Sequence, residues 1–143
     1  MNPAMSPVDA KALVRKATEE VWNKGNLAAI DELYATNYVR HDPATPDVRP
    51  GPEGVKQLVT TFRNAFPDLH ITIEDMIFEG DKVVTRYSTS GTHKGEFMGI
   101  APTGKYGTSS GIAIGHIVNG WIGEEWVHWD TLGTLKQFGV FPA

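Results

Sequence analysis

Cysteine is absent from the 143 residues, so a disulfide framework, a thiolate metal site and a cysteine nucleophile are all excluded. No stretch approaches the roughly 20 consecutive apolar residues that a membrane span requires. The opening "MNPAMSPVDA" lacks the charged n-region and apolar run of a secretory leader. A cytoplasmic protein with no membrane partner is therefore expected. Basic clusters are missing too: 13 Lys and Arg are scattered against 17 Asp and Glu, a net charge of -4. Nucleic acid would find no electrostatic footprint on such a chain. No glycine-rich loop lies between a strand and a helix to cradle phosphate, and no GxSxG elbow surrounds Ser109 and Ser110. What remains, at 41% hydrophobic and 21% charged residues, is one globular domain over residues 1–143 with a sizeable core and a small-molecule partner.

Ser6, Pro7 and Asp9 carry the marks of a helix start, and Ala10, Leu13, Val14, Ala17, Val21 and Trp22 recur at helical spacing until "NKGN". A shorter helix is expected through Leu27, Ile30, Leu33 and Tyr34, ending before "NYVRHDP". Four prolines between Asp42 and Pro52 then enforce a loop, with His41 at its base. Val55, Leu58, Val59, Phe62 and Phe66 mark a third helix, stopped by Pro67. From Leu69 the period changes. "LHITIEDMIFEG", "DKVVTRYSTSGTH", "YGTSSGIAIGHIV" and "WIGEEWVHWD" read as four long strands, with hairpin turns at Gly80-Asp81 and Asn119-Gly120. Helices followed by an antiparallel meander predict an α+β fold in which helices cover one face of a curved sheet, and such a cone encloses a cavity. Gly111, Gly115 and Gly123 fall inside strand patterns, where bends, bulges or close approach are expected.

Strict alternation along the last strand puts Ile122, Glu124, Trp126, His128 and Asp130 on one face, and Gly123, Glu125, Val127 and Trp129 on the other. Ile112, Ile114, His116 and Val118 share a face of the hairpin partner. If the register is simple and that side is concave, Asp130 and His116 look into the cavity. A carboxyl among tryptophans has its charged form desolvated, which raises its pKa and suits it to take a proton α to a carbonyl. His116, His41, Tyr34 or water would then serve the enolate oxygen. The competing reading of Asp130 is an N-cap for a final helix starting at Thr131. Taken singly, His116, His128, His93 and His70 read as hydrogen-bonded structural histidines, His70 on the outer face. His116, His128 and Asp130 have no ligand spacing such as HxH or HExxH, so no metal is expected.

The runs "FPDLHITIEDMIFEGDKVVTRYSTSGTHKGEFMGIAPTGK" and "GIAIGHIVNGWIGEEWVHWDTLGTLKQFG" resemble the SnoaL-like polyketide cyclases and predicted ester cyclases of the NTF2-like superfamily, and the similarity runs over nearly the whole chain. The resemblance implies a cone-shaped NTF2-like barrel, its curved antiparallel sheet wrapped around N-terminal helices. It also implies a homodimer or homotetramer, and a cofactor-independent intramolecular aldol condensation. By motif, Asp130 would be the general acid/base, with His116 and His41 as its catalytic companions. The substrate implied is a small carbonyl compound, in the family a polycyclic aromatic polyketide ester. It would lie in a slot lined by Trp22, Phe62, Phe66, Phe97, Met98 and Trp126, with His128 and Tyr34 beside it. Phe97 and Met98 sit in a glycine-flanked loop that could close over the mouth.

Trp121, Gly123 and Gly107 depart from the family's usual residues and put the substrate, more than the fold, in question. An isomerase, hydratase or hydrolase in the same cone, or a non-catalytic ligand-binding scaffold, are the alternative functions. Trp129, on the face opposite Asp130, would form an exposed apolar patch that a second subunit covers.

Overall fold

The computed structural model describes residues 5–140. Residues 1–4, part of the stretch read for a leader, and residues 141–143 lie outside the described residues. The first helix, α1 (Pro7–Lys16), starts as its sequence predicts: the Ser6 hydroxyl accepts the Asp9 N–H at 3.1 Å, and Pro7 occupies the first turn. It continues as a π-helical stretch, Ala17–Asn23, in which Lys24 N–H reaches back five residues to Glu19 O. A 3-10 turn (Leu27–Ala29) leads into α2 (Ile30–Leu33). The third helix, α3 (Pro52–Ala65), ends ahead of Pro67 as expected. No helix among the described residues is long and apolar enough to cross a membrane.

Five strands follow from the rest: β1 (Tyr34–His41), β2 (His70–Glu79), β3 (Lys82–Thr92), β4 (Tyr106–Val118) and β5 (Trp121–Trp129). A short helix, α4 (Thr131–Gln137), closes the chain. The Asn119-Gly120 turn has positive φ at both central residues, +52° and +82°, the geometry whose twist matches the flanking strands.

β1 is the strand that sequence patterning passes over. Tyr34–His41 carries little apolar alternation, and its pairing with β5 breaks between Tyr34 and Val39 before resuming at Val39↔Glu124, Arg40↔Glu125 and His41↔Trp126. That pairing is parallel, so the sheet is mixed rather than wholly antiparallel. Its order is β1-β5-β4-β3-β2. β1 and β2 remain edges and do not pair with each other, so the curved sheet is not closed into a barrel. The α+β architecture, with helices packed in the concavity, is as expected.

Two apolar clusters fill that concavity. Ala10, Val21, Ile30, Val55 and Val59 from the helices meet Tyr34, Tyr38, Val83, Ile117 and Ile122 from the sheet. Phe66, Leu69, Phe97 and Phe138 form the second cluster, and Trp22 packs against both. Gly107 lets Phe138 lie on β4, since a Cβ there would stand 3.0 Å from its ring.

One extra residue in β5 sets which side chains face inward. Across the β4–β5 hairpin, Ile117 pairs with Ile122 but His116 pairs with Glu124, leaving Gly123 as a bulge. Ile122 is buried before it, and Val127 is buried after it, with Glu125 and Trp129 on the same side. The alternation predicted from sequence is therefore inverted beyond Gly123. Deleting Gly123 removes the extra residue and makes Ile117↔Ile122 and His116↔Glu124 consecutive pairs, so Glu125, Val127 and Trp129 are expected to stay inward and the native near-UV tryptophan signal to be retained. Gly123→Ala meets the Val118 side chain at 3.0 Å and the His116 carbonyl oxygen at an ordinary 3.6 Å, and should change the stability measured by urea unfolding by less than about 1 kcal/mol.

Candidate functional site

Between the two clusters lies a cavity of about 150 Å3. Its walls are largely apolar: Val14, Trp22 and Phe62 from the helical side, Ile71, Ile73 and Val83 from the sheet, Phe97 from the β3–β4 loop, and Trp129 and Phe138 near the end of the chain. Edge-on aromatic contacts of Phe62 with Trp22, Phe97 and Trp129, at centroid distances of 5.8, 5.3 and 6.2 Å, hold this wall together.

Glu125, Arg40 and Tyr87 place polar chemistry in the same wall. Adjacent strands bring the first two together, because Arg40 and Glu125 are direct partners in the parallel β1–β5 pair. The Tyr38 hydroxyl donates to Glu125 Oε1 at 2.8 Å. Arg40 sits 3.6 Å from Asp42 and 5.8 Å from the centre of the Trp22 ring. Asp42, only 4% exposed, accepts Trp129 Nε1–H at 3.1 Å and the Ala44 N–H at 2.9 Å, which anchors the proline-rich loop to the sheet. Two carboxyls thus share one guanidinium away from bulk water.

The electrostatics follow from that arrangement. Burial pushes the Glu125 carboxyl above its ordinary range, while Arg40 and the Tyr38 hydrogen bond pull it part of the way back. Burial works against the Arg40 charge, and Tyr38, Glu125 and Asp42 outweigh it, so the guanidinium is held charged. Tyr87 is pushed up to about 12, mainly by burial and against the pull of Arg40. A carboxyl with a raised pKa at the polar end of an apolar cavity is the arrangement general acid/base chemistry uses.

The sequence-predicted residues divide between the two sides of the sheet. Trp22, Phe62, Phe66 and Phe97 line the cavity. Tyr34 is buried in the core, stacked edge-on against Tyr38, and does not line the cavity. His41, His116, Trp126 and His128 lie on the convex face: the Gly123 bulge puts Trp126 and His128 there, the β1 pairing puts His41 beside Trp126, and His116 alternates with the buried Gly115 and Ile117 of β4. His41 stacks on Trp126 at 5.3 Å and meets Glu124 at 2.6 Å, while His116 meets Asp81 at 2.6 Å. His128 is exposed.

Asp130 is exposed as well, and its carboxylate accepts the Gly133 N–H at 2.9 Å as the N-cap of α4, which is the competing reading of that residue. Met98 is 47% exposed at φ +52°, outside the cavity wall. Trp129, expected on the outside, is an inward residue bonded to Asp42. Trp121 lies on the surface at 40% exposure.

His93 is fully buried and belongs to structure: Nδ1 accepts the Thr103 N–H at 3.3 Å and pins the Phe97 loop. Among the described residues no group of three or more His, Asp and Glu is arranged to hold a metal ion.

Glu125, Arg40 and Tyr87 are the residues that sequence reasoning missed. Gly123 was the available signal for Glu125, since a bulge there reverses the strand. Nothing local marks Arg40 as buried.

A family model described as SnoaL-like polyketide cyclase matches residues 12–138. No curated protein matches the chain. Among solved structures, one from Acidithiobacillus ferrooxidans, assigned to the polyketide cyclases, is 33% identical, with a TM-score of 0.83 over 94% of this chain and 98% of that one. TsrD from Streptomyces laurentii is 26% identical, with a TM-score of 0.88 over 96% and 99%. A protein of ketosteroid isomerase-like fold from Catenulispora acidiphila, 18% identical, superposes with a TM-score of 0.78 over 96% of each chain, a likeness of fold.

The Glu125 shift has a stability consequence with a definite sign. A carboxyl whose folded pKa is raised costs nothing at low pH and increasingly destabilises the fold as pH climbs from its ordinary value near 4.5 to its folded one. Glu125→Gln should therefore match the natural protein in thermal stability below that ordinary value. It should gain an increasing advantage as pH rises through the Glu125 titration, then level off.

Proposed function

The chain belongs to the SnoaL-like polyketide cyclase family, and on that premise we propose that it is a cyclase-type enzyme of small carbonyl compounds with Glu125 as its general acid/base. The observation that carries this reading is the Glu125 carboxyl itself. It is desolvated, bonded on one oxygen by Tyr38, and set in the wall of an apolar cavity. In the ionised form Glu125 takes a proton from the carbon α to a carbonyl. The resulting enolate attacks a second carbonyl of the same molecule, forming the ring carbon–carbon bond, and Glu125 returns its proton to the new alkoxide. Holding both carbonyls in one cavity replaces a bimolecular encounter by an intramolecular one, and Phe62, Phe97 and Trp129 supply the confining walls. The step uses only side chains of this protein.

The assignment of the base to Asp130, which the family resemblance implies, loses support from the geometry. Its carboxylate is occupied at the start of α4 and lies outside the cavity wall. The cavity also bears on substrate size. At about 150 Å3 it is smaller than the roughly 300–1,000 Å3 of drug-sized ligand sites, so a one- or two-ring carbonyl compound fits better than a polycyclic polyketide ester.

A homodimer would use the convex sheet face, where Ile112 and Ile77 are 50% and 57% exposed. Sedimentation velocity is the check: Ile112→Asp should shift a dimer to monomer, and an unchanged sedimentation coefficient places the interface elsewhere.

Turnover of a panel of linear and monocyclic polyketone esters, followed by absorbance, tests the acid/base assignment. Glu125→Gln should lower kcat by about 100-fold or more, the usual contribution of a positioned acid/base. Asp130→Asn, which keeps a good cap, should leave kcat within about twofold. The opposite pattern returns the role to Asp130.

A further inference from the structure

Arg40 is a charged side chain in the cavity wall that the acid/base step leaves unused. Its side chain is 11% exposed, its Nε is buried without a hydrogen-bond partner, and its approach to Asp42, at 3.6 Å, is longer than a hydrogen bond. Asp42 is already satisfied by Trp129 and Ala44. Charge, the Tyr38 hydroxyl and the Trp22 ring hold the guanidinium in place, while its Nε is left without a protein partner. Such a desolvated donor group is costly unless something else completes it.

Tyr87 lines the same cavity and feels the Arg40 charge. It pairs with Gly111 across β3 and β4, and a Cβ at Gly111 would stand 2.5 Å from the phenol oxygen, so the glycine makes room for the hydroxyl in the cavity wall.

We infer that Arg40, with Tyr87, is the oxygen-binding half of the site, and that the substrate is a neutral 1,3-dicarbonyl compound whose enolate oxygens lie on the guanidinium. Only the origin of that enolate rests on the reading of Glu125 as proton acceptor. Two arguments narrow the class. A carboxylate is a weak base towards a simple ketone, and efficient transfer requires a carbon acid closer to it in strength, which two flanking carbonyls provide. The planar guanidinium also matches two oxygens held side by side.

The charge count supports a neutral substrate. Arg40, Asp42 and ionised Glu125 already leave one anion uncompensated, and proton transfer moves that charge onto the enolate beside Arg40 without adding another. A substrate carboxylate would add a further anion against the same single cation.

The test is calorimetric binding of 4-hydroxycoumarin, an unreactive two-ring analogue that ionises as such an enolate. 4-Methoxycoumarin is the neutral control and 1-naphthoate the carboxylate control. The natural protein should prefer the enolate over the methoxy compound by about tenfold or more, as expected for a charge-assisted pair. Naphthoate should bind more weakly than the enolate. Arg40→Met should erase the preference and Tyr87→Phe should reduce it. Because Arg40→Met alone leaves Asp42 without its cation, Arg40→Met/Asp42→Asn is measured beside it.

An enolate bound no tighter than the methoxy compound, a preference that survives in the double variant, or tighter binding of naphthoate would each overturn the inference. The Glu125 reading is separated by proton linkage. Enolate binding should take up about one proton in the natural protein, seen as a dependence of the heat on buffer ionisation enthalpy, and none in Glu125→Gln. Proton uptake unchanged by Glu125→Gln would sink the acid/base assignment and leave the Arg40 site standing.

Discussion

A single unpaired residue in the last strand governs what the interior of this protein contains. Because side chains alternate across a strand, the extra residue at Gly123 exchanges the two faces of everything after it, and the neighbouring strand keeps its own phase. Ile122 can then fill the closed part of the core while Glu125, Val127 and Trp129 face the cavity. Were Gly123 paired regularly with His116, the inward set would be Glu124, Trp126 and His128, and the Tyr38–Glu125 and Asp42–Trp129 contacts would have no partners to form between.

Those contacts give the cavity its unequal character. Aromatic rings from α3, the β3–β4 loop and the chain's end make a dry wall, and a dry wall is what raises the Glu125 carboxyl. The same desolvation would be prohibitive for Arg40 without anions nearby, so Asp42 is both an electrostatic partner and the anchor that ties the proline-rich loop and Trp129 together. One buried carboxylate thus serves structure, which leaves the other available for chemistry. On the convex side, His41 and His116 each pair with an acid, and their hydrogen bonds account for them without a ligand.

Legibility tracked the range of the interactions involved. The Ser6 cap, the Pro67 stop, the Asn119-Gly120 turn and the Asp130 cap depend on residues within a few positions of one another, and each was visible as local pattern. Trp22, Phe62, Phe66 and Phe97 were visible as apolar periodicity or as a loop aromatic, though not as cavity rather than core. β1 was missed because its partner, β5, lies more than 80 residues away and the segment has little apolar alternation of its own. The same pairing carries Arg40 next to Glu125, so the polar half of the site was hidden with it.

The amino-acid sequence by itself determined the α+β class, the order of helices before the β2–β5 meander, the lack of thiol chemistry and the family, because these rest on composition, short-range periodicity and motif. Tertiary structure alone decided that the sheet is mixed and open, that the histidines and Asp130 stand outside, and that Glu125, Arg40 and Tyr87 meet within. The reason is physical: which face of a strand is buried depends on its register with neighbours distant in sequence, and a shift of one residue reverses it.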